Sequence, residues 1–546
     1  MSGRDGGMLW LGPRDPSEGV TAEIAGSKAE GIWRIGRLGL PTPPAFVLPT
    51  TLCAAVNADP ANAAAKVAQG LRAGIERLEA ATGRTLGDAR APLLVSVRSG
   101  AAKSMPGMLS TVLNVGLNAR TVHGLIRLTG DPRFAWDSYR RFIESYAVVV
   151  GGVSGAAFAR RLAQMVEAEE AADESELDGE ALERLVGAYG DLGAAEGGPP
   201  APDDPMDQLT AAALAVFRSW EARKAVEYRR MNGLEALAGT AVTVQAMVFG
   251  NAGLRSGSGV AFSRDPATGE RGLYVDFLFD AQGEDVVSGR RTPVDAALLR
   301  ARLPDAFAAL EHGVAALEAD RRDVQDVEFT IEDGRIYFLQ TRSAKRTPRA
   351  ALRVAVDLVR EGVIDPATAL ERLAEVDLDR TAATRFSEPV EPVATAIPAS
   401  PGVASGRAAL ASDRAKAMAE AGDPVILVRA EPSTEDIEGF AAAQGILTAV
   451  GGRTAHAAVV ARQLGKVCLV GCRALVIDPA SGAATLNGQP LREGDWLSLD
   501  GEAGTVGLGR REVVVDAPRT ELEEVARWRK EAPVSGAKAL QTPMAG

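Results

Sequence analysis

Apolar positions recur along this chain with two different periods, and the alternation between them predicts a mixed α/β protein. The run Leu93-Leu94-Val95-Ser96-Val97 reads as a strand, whereas Ala61 to Ala81 and Arg160 to Ala172 are rich in helix formers and read as long helices. A helix-rich stretch begins near Thr121 and stops at Gly197-Gly198-Pro199-Pro200-Ala201-Pro202, which predicts a helical insertion over residues 121–200 that caps a larger domain. Val327 to Ile331 and Arg335 to Arg342, flanking Glu332-Asp333-Gly334, predict a β-hairpin. Its odd positions Val327, Phe329, Ile331, Tyr337 and Leu339 then form an apolar face. Glu328, Gln340 and Arg342 share the opposite face if the loop holds three residues, and a two-residue turn separates them.

Beyond the hairpin the helical period returns from Ala350 to Leu373, with Leu352, Ala355, Val356 and Val359 on one face, and Glu388-Pro389-Val390-Glu391-Pro392 follows as an extended connector. A second unit runs from about Val393 to Val515, where the short apolar runs Pro424–Val428, Gly445–Val450 and Lys466–Val470 are separated by Gly-rich turns. Ser535 to Gly546 is small, polar and Pro-containing, and is expected to be disordered.

Composition narrows the function classes. A chain of 546 residues exceeds what one hydrophobic core supports, so two to four domains are expected. No apolar run is long enough to span a bilayer and the first residues lack a signal-peptide pattern, which predicts a cytoplasmic protein without a membrane partner. Cys53, Cys468 and Cys472 are too few for a disulfide framework and lack the second pair of a zinc site. A formal charge of −12 opposes a phosphate backbone and argues against nucleic acid, while a small anionic substrate stays compatible through local fields.

Of three histidines, His456 has a suggestive setting. It follows the turn Gly451-Gly452, with Thr454 as a good N-cap and Gly465 as a C-terminal stop, so it falls in the first turn of a helix. Unpaired amides and the macrodipole there stabilise negative charge on the ring and disfavour imidazolium, which suits a neutral nucleophile that carries a phosphoryl group. Local physics fits a packing or capping histidine equally well. Two stretches weigh beside it: Ser433-Thr434-Glu435-Asp436-Ile437-Glu438-Gly439-Phe440, and Gly445 through the Gly-Gly-Arg-Thr-Ala-His-Ala-Ala-Val-Val-Ala-Arg run to Gly471-Cys472. Together they closely resemble the phosphohistidine domain of the pyruvate phosphate dikinase family, and the resemblance implies that His456 is phosphorylated. Arg453 and Ala455 depart from the family's usual Met and Ser. The resemblance also implies a possible regulatory phosphorylation at Thr454, for which N-capping is the plainer account. His123 and His312 read as structural.

A phosphoryl donor site is the natural counterpart. Val95 to Gly100 leads from a strand into the Gly/Ser/Pro-punctuated loop Ala101 to Met108, whose amides suit phosphates, with Arg98 at the strand end. The hairpin face supplies a carboxylate and an amide oxygen for Mg²⁺ and a guanidinium for phosphate, although a solvated face explains it as well. Gly26-Ser27-Lys28 through Gly39-Leu40-Pro41, Val95 to Asn118, Gly250 to Glu270, Ala281 to Thr292 and Asp326 to Thr347 resemble, in order and spacing, the ATP-grasp domain of the same family. The resemblance implies that Lys28 and Arg98 bind ATP phosphates and that Glu328, Gln340 and Arg342 bind the metal and nucleotide, with Gly257-Ser258-Gly259 nearby. The family's Gly-Gly-Lys is here Gly26-Ser27-Lys28, which bears on how Lys28 is presented.

The expected map is therefore an ATP-grasp nucleotide-binding domain over 1–347 with the helical insertion, a helical and extended linker over 348–392, a swivelling α/β phosphohistidine domain over 393–515, and a tail over 516–546. Full-length family members continue into a barrel that binds pyruvate or phosphoenolpyruvate with Mg²⁺, and the resemblance stops near residue 515. This implies a dikinase subunit that phosphorylates His456 from Mg-ATP, releases AMP and passes the group to a small-molecule acceptor on a separate subunit. That acceptor is pyruvate, or an alcohol or phenol. A fragment of a complete pyruvate phosphate dikinase and a catalytically silent nucleotide-sensing module are the alternatives.

Overall fold

The structure is a computed structural model that describes residues 7–12, 16–103, 105, 109–288, 291–294, 296–389, 391–431, 436–453, 455–478 and 482–531. Thr454 and the Ser535–Gly546 tail lie outside them, as do Ser104 and Pro106 to Met108 of the glycine-punctuated loop. The protein is a mixed α/β chain that divides into two compact units. The first comprises Met1–Ser258, Phe279–Gln282 and Val327–Arg342; the second comprises Gly259–Leu278, Gly283–Asp326 and Ser343–Gly546.

The first unit is built on a five-stranded sheet in the order Leu9–Trp10, Ala45–Leu48, Thr240–Ala246, Val95–Ala101, Thr111–Val115. Val95, Val97, Val242 and Val244 are fully buried and join helices of the same unit in one core that includes Leu71, Phe134, Phe158, Tyr189 and Phe217. The local sequence starts these helices in a repeated way. Asp59, Asp131, Asp178 and Asp204 each accept an amide hydrogen bond at the head of Pro60–Thr82, Pro132–Val149, Gly179–Ala195 and Pro205–Arg218, and three of the four are followed by a proline. Between Ala195 and Pro205 the chain is irregular, where the Gly/Pro cluster removes both helical preference and amide donors.

The hairpin departs from the three-residue expectation. Strands Gln325–Glu332 and Arg335–Ser343 are joined by Asp333 and Gly334 alone, with φ of 44° and 77°. Two positive φ values in succession belong to a primed turn, whose twist matches the strands. The removal of one loop residue inverts the phase of the second strand. Ile336 and Phe338 are its buried apolar positions, in register with the buried Val327, Phe329 and Ile331, while Tyr337 and Leu339 are half-buried.

The second unit is organised by an eight-stranded sheet in the order Ala394–Thr395, Thr505–Leu508, Trp496–Asp500, Val403–Ala409, Val425–Arg429, Gly445–Thr448, Val467–Val470, Ile397–Ser400. Its central pairings from Val403–Ala409 through Val467–Val470 are parallel, with helices crossing between them, and both faces are buried in separate apolar clusters. The helical period after Ala350 resolves into two helices, Pro348–Arg360 and Pro366–Arg372, because Gly362 takes φ 70° and Asp365-Pro366 starts a new cap. The buried face of the first is Leu352, Val354, Ala355, Val356 and Leu358, with Val359 only half-buried. The Glu388–Pro392 connector is irregular where described, and the strand before it, Ala383–Phe386, pairs antiparallel with Val513–Asp516.

Candidate active site

Lys28, Arg98, Glu328 and Arg342 come from three separated stretches of sequence and meet in the first unit. Gly26 makes this possible. It breaks the helical geometry of Ala22–Arg37 with φ 80° and ψ 153°, and a Cβ there would lie 2.2 Å from the carbonyl oxygen of Gly100. Ser27, the departure noted in the sequence, donates its hydroxyl to the Ala101 carbonyl at 3.1 Å and so fastens the helix to the strand that carries Arg98. Gly31 sits against the Thr341 backbone, where a Cβ would approach the Thr341 carbonyl to 3.1 Å. Two glycines and one hydroxyl thus let one helix approach both strands of the site.

At the centre is the Glu328 carboxylate. Arg98 Nη2 lies 3.9 Å from Oε2 and Arg342 Nη2 lies 4.0 Å from Oε1, too far for hydrogen bonds but close enough for strong attraction. Burial pushes the carboxyl pKa up, yet Arg342, Lys28 and Arg98 together outweigh it and hold Glu328 below the usual range. Lys28 is moved the other way. Burial first, then repulsion from Arg98 and Arg342, lowers its pKa to about 7 against the partial support of Glu328. Two guanidinium groups and the Lys28 amine thus surround one carboxylate, and among the described residues Arg98 Nε is buried without a hydrogen-bond partner. Such a cluster is suited to a polyanion.

Gln340 is buried, and among the described residues its Oε1 has no hydrogen-bond partner. A buried amide oxygen left unpaired costs about 1–3 kcal/mol, which an incoming cation can recover. This orphaned oxygen and an ionised Glu328 are each of the kind that Mg²⁺ takes, one or two protein oxygens with phosphates and water completing its shell, although the two-residue turn puts Gln340 on the opposite face of the hairpin from Glu328. Among the described residues no group of three or more His, Cys, Asp or Glu is placed to hold a metal by itself.

In the second unit His456 is the first residue of the helix His456–Leu464, and its backbone alone is described. The residue ahead of the helix is Ala455, whose φ of −58° and ψ of 154° place it outside the helix and whose side chain makes no capping hydrogen bond, while Thr454, the expected cap, lies outside the described residues. The Ala455 side chain thus leaves the first amides of the helix unsatisfied. Gly465 ends it in the left-handed conformation with φ 62°. Ala457, Ala458 and Ala461 are fully buried and press this short helix onto the sheet.

Sequence reasoning passed over the residue that fixes the His456 loop. Arg462 is 2% exposed, and its Nη1 donates to the Ala399 carbonyl at 2.9 Å and the Arg453 carbonyl at 2.8 Å. It ties the last turn of the helix back to the loop that introduces the first. Arg453, standing where the family usually has Met, donates Nε to the Pro398 carbonyl at 3.0 Å and lies 5.4 Å from the Tyr274 ring centre. A charged residue in an Ala/Val helix was the available signal. In the first unit, Asp137 likewise anchors a buried network with Arg140 at 2.7 Å, Arg141 at 2.9 Å and Asn251 at 3.1 Å, and these cations hold its carboxyl far below the usual range despite burial.

Comparison with known proteins gives this geometry a context. Residues 61–304 match the family model described as pyruvate phosphate dikinase, AMP/ATP-binding domain, and residues 421–504 match that of the PEP-utilising enzyme, mobile domain. Pyruvate, phosphate dikinase 1 of Zea mays is 42% identical over 514 residues, which cover 93% of this chain and 54% of the relative. The chain belongs to the pyruvate phosphate dikinase family. The Clostridium symbiosum pyruvate, phosphate dikinase is also 42% identical, over 524 residues that cover 95% of this chain and 60% of that family member. The chain thus spans a little over half the length of these curated relatives. Arg98 lies within the stretch matched to the AMP/ATP-binding domain of the family, and His456 and Arg462 within that matched to its mobile domain. Among the described residues no helix is long and apolar enough to cross a membrane.

Proposed function

We propose that this chain performs the ATP-side half of a dikinase reaction, in which His456 is phosphorylated from Mg-ATP with release of AMP. The observation that carries the reading is the gathering of Lys28, Arg98 and Arg342 around Glu328, a concentration of basic side chains suited to a polyphosphate. Arg98 and Arg342 hold the phosphates as planar, permanently charged donors, and Lys28 gains its proton as the anion arrives. Glu328 and Gln340 would hold Mg²⁺, which would supply further neutralisation of the polyphosphate.

Neutral His456 attacks the β-phosphorus in line. A nitrogen–phosphorus bond forms as the bond from the β-phosphorus to the oxygen shared with the α-phosphorus breaks, and AMP leaves. The γ-phosphoryl travels with the β-phosphoryl and is then taken by water or inorganic phosphate, which leaves phosphohistidine. Arg462 acts through the backbone as a positioning residue for the His456 loop. The map that supports this is an ATP-grasp domain over 1–347, a linker over 348–392 and a swivelling phosphohistidine domain over 393–515. The phosphoryl group then passes to a small acceptor, pyruvate or an alcohol or phenol, that a separate subunit holds.

The test is incubation of the chain with Mg²⁺ and ATP labelled separately at the β and γ positions, with detection of acid-labile label and AMP. Label from the β position on wild type but not on His456→Ala, with ATP affinity unchanged, is the expected outcome. ATP binding without label from either position would reduce the chain to a nucleotide-sensing module.

A further inference from the structure

The helix Pro348–Arg360 and the segment running from the strand Val513–Asp516 into the helix Arg519–Glu531 enclose a cavity of about 430 Å³ in the second unit. Three guanidinium groups, Arg349, Arg353 and Arg519, line it against the single carboxylate of Glu521. Arg353 is engaged by Glu270 at 3.1 Å. Arg349 and Arg519 form no ion pair among the described residues, and Arg349 Nη1 is buried without a hydrogen-bond partner. The cavity also takes in Thr520 and Glu521 in the first turn of the 13-residue helix, where backbone amides lack intrahelical partners and the macrodipole favours an anion.

We propose that this cavity is a binding site for a phosphate-class dianion, distinct from the nucleotide cluster built on Lys28, Arg98 and Arg342. A buried guanidinium nitrogen with nothing to donate to is costly, and a phosphate oxygen is the acceptor its fork geometry matches. On a chain of net charge −12, a concave group of three arginines, two of which form no ion pair among the described residues, concentrates local positive potential.

The location gives the anion a role. Pro348–Arg360 and Val513–Glu531 stand before and after the eight-stranded sheet in sequence and already touch through Arg360 and Glu524 at 2.7 Å. The strand Ala383–Phe386 pairs with Val513–Asp516 beside them. An anion that bridges Arg349 with Arg519 clamps together the two chain passages that bracket this sheet, and so regulates how freely it moves.

Calorimetric titration of the full chain with inorganic phosphate, and separately with glycerol phosphate, tests the assignment in wild type, Arg519→Gln, Arg349→Gln/Arg519→Gln and Arg98→Gln. Arg519 is exposed, so its single replacement keeps the test valid should the double variant fold poorly. A phosphate site that persists in Arg98→Gln and weakens by roughly ten-fold or more in Arg519→Gln is the expected result, comparable to the loss of one charge-assisted contact. Binding of inorganic phosphate alone assigns free phosphate as the ligand, and binding of both assigns a phosphomonoester. Absence of binding in wild type, equal affinity in Arg519→Gln, or loss only in Arg98→Gln each overturns the proposal. Failure of ATP to bind would count against the nucleotide cluster and leave this outcome untouched.

Discussion

ATP should draw a proton onto the protein when it binds above neutral pH, and Lys28 sets the amount. With its pKa lowered to about 7 in the free chain, Lys28 is only about one-tenth protonated at pH 8. A single phosphate charge about 4 Å away, at an effective dielectric near 20, stabilises the ammonium by about 4 kcal/mol, or roughly three pKa units. That returns the bound lysine to its ordinary range and makes the uptake about 0.9 proton at pH 8 and about 0.1 at pH 6. By linkage the affinity for ATP then falls nearly ten-fold per pH unit around pH 8. Calorimetry in buffers of differing ionisation enthalpy reads the uptake directly. Lys28→Met is the control that cancels titration of the nucleotide's own phosphates. Equal proton uptake by wild type and Lys28→Met at pH 8 would refute the reasoning, because it would mean that no phosphate approaches Lys28. In the absence of ligand the sign is also determined. Lys28 sits below its ordinary value of 10.5, so its contribution to stability is fully present above that value and is lost as pH falls toward about 7.

Three further substitutions probe the site. Gly26→Ala places a methyl group 2.2 Å from the Gly100 carbonyl at a φ of 80°, and should cost about 3 kcal/mol or more with loss of ATP binding, read by thermal melting and titration. Glu328→Gln removes the carboxylate that Arg98, Arg342 and Lys28 surround, so Mg²⁺-free ATP should bind at least as tightly as to wild type while the enhancement by Mg²⁺ disappears; unchanged Mg²⁺ dependence would remove Glu328 from the metal site. Arg462→Met leaves the Ala399 and Arg453 carbonyls unpartnered and should destabilise the chain by about 2–4 kcal/mol, with phosphoenzyme yield reduced and the ATP dissociation constant unchanged. Equal losses in ATP affinity and phosphoenzyme would show a global effect instead of a loosened His456 loop.

Local chemistry alone determined a good deal of this protein. The strand at Val95, the long helix after Asp59, the hairpin around Asp333-Gly334 and the helix that opens at His456 and stops at Gly465 each follow from neighbouring residues, because capping, primed turns and apolar period act within a few positions. The candidate ligands Lys28, Arg98, Glu328, Gln340 and Arg342 were legible only through likeness to a family, since a lysine after a helix break or a glutamate on a hairpin has no distinguishing local signature. Tertiary structure decided what those residues do to one another. It brought Lys28 to Arg98 by the contact of Gly26 with Gly100, and the resulting repulsion and burial, absent from any local window, lowered the lysine pKa. One residue fewer in the hairpin loop reversed the phase of the strand that carries Gln340, a difference that sequence leaves open because either loop length suits Glu-Asp-Gly. Arg462 stands out in sequence only as a charged residue in an Ala/Val helix, and the packing of that helix against the sheet is what buries its guanidinium and ties it to the His456 loop. Pairings over long sequence separation depend on which backbones approach closely, and that is set by the whole fold, not by any segment of it.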